Sequence, residues 1–308
     1  MNLRYYFNEA QNRLRRRRFL LQAQALLHTP PVTCASDGPM VLSMVHHRDV
    51  LTYLLAIKSF ARELPPSKVV VVADPTITAD DRVILRRHVP GVEIREAVEF
   101  QRPGVPIGGT WERLMAIATY VKDHYVIQID ADTVTLAGVA EVEECVSRNV
   151  SFTIGTVDLQ VPVSVKTASL WAQRLMQGNA QPHVQTLCEA QVWSAAAEGD
   201  IGKKYVRGCS GFAGFARNAV SEADVVALSS RMQAALGDAW SRWGTEQFSS
   251  NYLIANAPDS VVLPHPMYTT PNRSGPYTVF VHFIGSLRFT SDAYLAALHH
   301  HLKLTGAL

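Results

Sequence analysis

The segment Lys68–Asp74, Lys-Val-Val-Val-Val-Ala-Asp, constrains the fold more than any other stretch of the chain. A β-branched run without polar alternation has no face suited to water, so it predicts a central parallel strand covered on both sides. Its surroundings agree. Val41–Val45 is a second short apolar run, Leu51–Glu63 has helical apolar spacing, and Thr78 stands before Asp80 and Asp81 as at a capped helix start. That helix ends before Pro90-Gly91, after which Val92–Ala97 reads as a strand, Thr110–Lys122 as a helix and Tyr125–Ile129 as a strand. Strands and helices alternating in this way predict an α/β fold, a doubly wound and mostly parallel sheet with right-handed crossovers. Ligands of such sheets bind beyond the carboxyl ends of the strands.

The later half is more mixed. Strands are expected near Ser151–Thr156, Arg207–Phe215 and Tyr277–Phe283, and helices over Ala168–Met176, Ser221–Leu236, Glu246–Asn256 and Ser291–Leu304. Of the 308 residues 47% are hydrophobic and 18% charged, enough for a substantial core and too little charge for a disordered chain. A net charge of +2 gives no ground for a nucleic-acid partner. The four cysteines are widely spaced with no C-x-x-C pair, which predicts reduced thiols and a cytoplasmic protein rather than a zinc cage or disulfide framework.

Charge is concentrated at the start, where five arginines fall between Arg13 and Arg18. Residues 7–27 read as a basic amphipathic helix with Phe7, Ala10, Leu14, Leu21 and Ala25 near one face. The reading adopted packs that face on the main domain and leaves a solvated basic face. The alternative lays the helix on an anionic membrane surface. The apolar stretch Phe19–Leu27 is broken by Gln22 and Gln24 and is too short to span a bilayer, which takes about 20 apolar residues.

The residues that bear chemistry cluster at strand ends. Ile127-Gln128-Ile129 runs into Asp130-Ala131-Asp132. In extended backbone, residues two apart point the same way, so both carboxylates can converge on one cation. Hard ions such as Mg²⁺ or Mn²⁺ take oxygen ligands and share them with substrate phosphates. A late strand ends in His282-Phe283-Ile284-Gly285, followed by Arg288. His282 could supply an imidazole to the same ion, Gly285 would let backbone approach a phosphate, and Arg288 would bring it positive charge.

With these motifs the chain resembles the nucleotide-sugar glycosyltransferases of the GT-A fold, and among them family 8, the glycogenin and galactosyltransferase-like enzymes. The resemblance covers most of Val41–Phe289. It implies a nucleotide-binding opening over Val41–Ser59 that includes Val45 and His46, a D-x-D at Asp130, Ala131 and Asp132, and an H-x-x-G-x-x-K motif at His282, Gly285 and Arg288. Arg here replaces the usual Lys, and Phe289-Thr290 stands where Pro-Trp often follows. It further implies a basic residue before D-x-D, matched nearest by Arg113. Glu246 and Gln247 look like the acidic-Gln pair beside the anomeric carbon, with Asn251 near the family's Asn but out of strict register. Gly211 lies in Cys209-Ser210-Gly211-Phe212, similar to the family's Asn-Ser-Gly-Phe with Cys209 in place of Asn.

The function so implied is metal-dependent transfer of a sugar from a nucleotide-diphosphate sugar, UDP-linked by preference, to a glycan, lipid-linked or small-molecule acceptor, with retention of configuration. Mn²⁺ or Mg²⁺ would be bound by Asp130, Asp132 and His282. The expected organisation is a basic helix over 1–31, a catalytic domain over 40–290 and a C-terminal helix over 291–308. The catalytic domain divides into a nucleotide half, 40–136, and a sugar and acceptor half, 137–290. A sugar nucleotidyltransferase is an alternative, weakened by the absence of glycine from Val45-His46-His47-Arg48-Asp49. A non-catalytic nucleotide-sugar-binding protein on the same fold is another.

Overall fold

The computed structural model describes residues 3–157, 159–179, 181–196, 202–285 and 287–307. The fold is mixed α/β, and its largest sheet has seven strands, most of them parallel, as the β-branched runs require. Two compact units make up the chain: Met1–Arg95 with Ile129–Glu143 and Pro266–Leu308, and Glu96–Gln128 with Glu144–His265.

In the first unit the strands Met40–Val45 and Lys68–Ala73 pair in parallel, Met40 beside Lys68 and Val45 beside Ala73. The valines of the second strand are fully or almost fully buried. The helix Val50–Glu63 buries eleven of its fourteen residues, and the helix Ala79–His88 opens with the capping box that Thr78 and Asp81 build together. A second sheet of three short strands follows. Phe280–His282 pairs in parallel with Tyr268–Thr269 and antiparallel with Thr133–Thr135, so that His282 lies opposite Thr133.

Beneath this small sheet Tyr294 of the C-terminal helix Ala293–Leu304 stacks between Phe19 and Phe283, with centroids 4.1 and 4.3 Å away. Each such ring contributes roughly 1.5–3 kcal/mol by leaving water. The long N-terminal helix Leu3–Ala23 therefore belongs to this core. It packs through Phe19 and Ala23, and through Leu26 in the 3-10 turn Gln24–His28 that continues it. This corrects the packed face expected from sequence, because Phe7, Ala10, Leu14 and Leu21 all face solvent. The heptad spacing of the large residues drew attention to the wrong side of the helix. The segment after it is held by backbone bonds, Val32 N–H to His88 O at 2.8 Å and Ala35 N–H to Pro66 O at 2.9 Å.

The second unit is built on Phe152–Gly155, antiparallel to Gly208–Phe215 and parallel to Val261–Leu263. Gly214 is required there: a Cβ would stand 2.2 Å from the Phe152 ring. The main helices are Trp111–Tyr120, Val165–Met176, Val184–Gln191, Glu222–Leu236 and Thr245–Ala255. Trp111, Trp240 and Phe248 form its aromatic centre. Asn251, near the position of the family's Asn, is fully buried and donates from Nδ2 to the Gly208 carbonyl at 2.9 Å. In this structure its amide holds the helix Thr245–Ala255 to the strand. Val184–Gln191 and the three-residue strand Thr133–Thr135 carry too little periodicity to be read from sequence.

Candidate functional site

The first unit brings the D-x-D and the late histidine together. The strand Val126–Ile129 is buried throughout, and its end is fixed by Ser43, whose hydroxyl donates to the Ile129 carbonyl at 2.7 Å. The chain then turns sharply through Ala131, the Thr133 N–H and hydroxyl both donating to the Asp130 carbonyl, at 3.3 and 2.9 Å. The antiparallel register with Phe280–His282 does the rest. Phe283 N–H donates to the Asp132 carbonyl at 2.8 Å, and His282 Nε2 lies 3.1 Å from Asp132 Oδ1 and 3.9 Å from Asp130 Oδ2.

One ligand atom from each of Asp130, Asp132 and His282 lies within 4.8 Å of the others. Two ligands that hold one cation at about 2.0–2.6 Å can be at most about 4–5 Å apart, so the spacing fits one ion. The donor set of two carboxylates and an imidazole is suited to a divalent metal. Arg288 Nη2 binds the other oxygen of Asp132, and its Nη1 lies 3.4 Å from Asp49 Oδ1. Burial pushes the Asp132 carboxyl up, but His282 and Arg288 outweigh it and hold it well below the usual carboxylate range. At Gly285 a Cβ would meet nothing within 4 Å, so the protein leaves open space beside that backbone.

The carboxyl end of the first unit's parallel pair is also polar. Val45 closes its strand, its carbonyl accepts from Asp74 N–H at 3.0 Å, and His46 Nδ1 sits 3.1 Å from Asp74 Oδ2. Burial raises the Asp74 carboxyl, while Thr76 and His46 together draw it below its ordinary value.

The second unit holds the remaining expected residues in a buried polar network. Arg113 Nη2 lies 3.1 Å from Glu246 Oε2, with the two side chains only 4% and 2% exposed. The hydroxyl of Thr110 donates to the same oxygen at 3.0 Å. Thr110 reaches it from a left-handed backbone, φ 72°, that β-branched residues rarely adopt. Arg113 also donates to Ser210 Oγ at 3.4 Å, Ser210 to Gln247 Oε1 at 3.5 Å, and Gln247 Nε2 to Gln185 Oε1 at 2.8 Å. Gly211 is buried in the strand that carries Ser210, and Cys209 is half-buried beside it. Glu246 does not cap its helix through its side chain, since the cap position is Gly244 at φ 104°.

The network continues beyond the expected residues. Gln185 Nε2 donates to Tyr205 OH at 3.1 Å, and Tyr205 donates to Glu189 Oε1 at 2.9 Å. Arg207 binds the other oxygen of Glu189 and lies over the Trp171 ring, 5.1 Å from its centroid. Glu189, Arg207, Tyr205 and Trp171 line a cavity of about 150 Å³. Burial raises the Glu189 carboxyl to about 7, against the opposing pull of Arg207 and Tyr205. Asp49, Thr110 and Glu189 were not picked out from sequence. Asp49 reads as an ordinary turn acid, Thr110 as a cap, and Glu189 as one polar residue in a weakly patterned helix.

No protein-family model matches the chain, and no curated protein resembles it in sequence. Solved structures do match in three dimensions. The bifunctional glycosyltransferase WbbM, in its apo form, superposes with a TM-score of 0.55 at 16% identity over 88% of this chain. The chain spans 50% of the length of WbbM. An active-site mutant of LgtC superposes with a TM-score of 0.50 at 9% identity, over 85% of this chain and 94% of that one. At such identities the likeness speaks for the fold, and the fold is GT-A, as the sequence motifs implied.

Proposed function

We propose that the protein is a metal-dependent glycosyltransferase that takes a sugar from a nucleotide-diphosphate sugar, UDP-linked, and passes it to a glycan, lipid-linked or small-molecule acceptor with retention. The observation that carries this reading is the convergence of Asp130, Asp132 and His282 beside Arg288 at strand ends. The GT-A fold, shared with proteins named as glycosyltransferases, supports it.

Asp130, Asp132 and His282 would hold Mn²⁺ or Mg²⁺. A bound divalent ion supplies Lewis acidity that offsets the charge gained by a departing nucleoside diphosphate. The protein's own share of that task falls to Arg288. Its guanidinium is held by Asp132 and Asp49, which fixes a permanent cation beside the ligand carboxylates. Gly285, with open space where a side chain would be, lets backbone N–H groups come close to phosphate oxygens. Val45 and His46, steadied by Asp74, are assigned to the nucleotide.

For the sugar, the residues assigned by resemblance are Glu246 and Gln247, with Gly211 in the strand that shapes their surroundings. The Arg113 guanidinium and the Thr110 hydroxyl both bind Glu246 Oε2, which favours the carboxylate form of a buried acid. A fixed negative charge is what an oxocarbenium-like transition state calls for.

The test is a screen of nucleotide sugars for turnover in Mn²⁺, with a chelated control. Sugar transfer or slow donor hydrolysis that needs the ion supports the reading. Metal-independent turnover would remove the ion from it. Release of pyrophosphate from a nucleoside triphosphate and a sugar phosphate would make the protein a nucleotidyltransferase instead.

A further inference from the structure

The N-terminal helix shows two faces whose difference its packing does not explain. Phe19 and Ala23 are buried in the first unit's core. Turned well away from them, Phe7, Leu14 and Leu21 are 63, 68 and 65% exposed. Residues seven apart on a helix drift by only about 20° per step, so these three side chains form one line along the solvent side. Arg17 falls on that side between Leu14 and Leu21, with Arg13 flanking the line on one edge and Arg18 on the other. Arg13, Arg16 and Arg17 share a shallow groove with Leu20 and Leu21. Glu9 is the one acidic residue of the helix, and it lies 3.2 Å from Arg13.

Arg15 makes the contrast sharper. It turns inward, donating to the Thr290 carbonyl at 3.1 Å and lying 3.8 Å from Asp292. Arg16, Arg17 and Arg18 remain exposed. Three large apolar side chains in a line on a solvent face contribute nothing to the folded core, and a row of arginines beside them calls for negative charge.

We propose that this face lies on an anionic lipid bilayer, with Phe7, Leu14 and Leu21 entering the acyl boundary and Arg13, Arg17 and Arg18 meeting lipid phosphates. The chemistry is that of an interfacial helix: apolar side chains on one line, basic ones beside it, and no span. No helix among the described residues is long and apolar enough to cross a membrane, so the contact is peripheral. A second copy of the chain is a poorer occupant. Two such helices face to face would bring their arginine rows together, whereas anionic headgroups neutralise them.

The experiment is co-sedimentation of the full chain with vesicles of phosphatidylcholine alone or mixed with phosphatidylserine, at low and high salt. The expected result is binding to the anionic vesicles only, weakened by salt within the range that screens surface charge. The variant Phe7→Ser/Leu14→Ser/Leu21→Ser should bind at least about tenfold more weakly with an unchanged melting temperature, because all three side chains are already in water. The variant Arg13→Gln/Arg17→Gln/Arg18→Gln should lose the preference for anionic lipid. Equal sedimentation with both vesicle types, none with either, or wild-type binding by the serine variant would overturn the proposal. So would a concentration-dependent dimer that the serine variant abolishes, which would make this face an interface between copies.

Discussion

The Asp130–Asp132–His282 centre and the Glu246–Arg113 network are both polar and largely buried, yet they are organised in opposite ways. The first crowds two carboxylates and an imidazole within 4.8 Å of one another, at the meeting of a strand end and a three-stranded sheet. Grouping like-charged ligands so closely makes sense when a cation is to be shared. The second matches a carboxylate with a guanidinium and a hydroxyl, and continues from Arg113 through Ser210, Gln247 and Gln185 to Tyr205 and Glu189. A network of that kind fixes side-chain positions in advance and holds charge in place. Crowded carboxylates suit the capture of a cation and paired charges suit a fixed position, and each unit shows one of these two arrangements.

The largest expected effect belongs to the crowded centre. Asp132→Ala removes a proposed ligand, the acceptor of Arg288 and the neighbour of His282 Nε2. Turnover should fall by about a thousandfold or more, some 4 kcal/mol of transition-state stabilisation. Steady-state kinetics at saturating Mn²⁺ measures this, and a loss under tenfold would separate the cluster from the reaction.

The network is broken differently. Arg113→Ala leaves Glu246 buried without its guanidinium, so denaturant unfolding should show a loss of about 3–5 kcal/mol. Glu246→Gln is the subtler change, because the amide keeps an acceptor for Thr110 and Arg113 while removing the charge. If the charge acts on the sugar carbon, turnover should fall about a hundredfold with donor affinity little altered. A lowered melting temperature with normal turnover would make the pair purely structural.

The smallest effect concerns Glu189, at the far end of the same hydrogen-bonded chain. Its carboxyl is raised to about 7 in the folded protein, above its ordinary value of 4.5. A raised acid favours the folded state in its protonated form, so this contribution is complete below the unfolded value and is lost as pH rises through the folded one. Thermal melts should therefore drop by about a few degrees between roughly pH 5 and pH 8. Glu189→Gln, which cannot ionise, should flatten that dependence, and an unchanged slope would assign it to other groups.

Much of the arrangement was legible in the residues. Lys68–Asp74 announced a buried parallel strand because it lacks any polar alternation, and Asp130-Ala131-Asp132 stood out because an apolar strand runs straight into it. The strand that carries His282 was legible within Tyr277–Phe283, but its partner Thr133–Thr135 was not, since so short a segment has no period to detect. Arg113 reads only as a basic residue on the helix before D-x-D, and it is tertiary packing that buries it against Glu246. The N-terminal helix misled for a related reason: a lone apolar stripe says that one face differs, not which face meets the core.

Calorimetric titration of the full chain with uridine diphosphate decides whether Asp130, Asp132 and His282 hold a divalent ion for a nucleoside diphosphate. The titration is run in Mn²⁺ and again after chelation, for the wild type and for Asp130→Ala. The expected result is saturable binding by the wild type in Mn²⁺ that falls at least about tenfold, or about 1.4 kcal/mol, on chelation and equally in the variant. Binding of the same strength in all these conditions would contradict it.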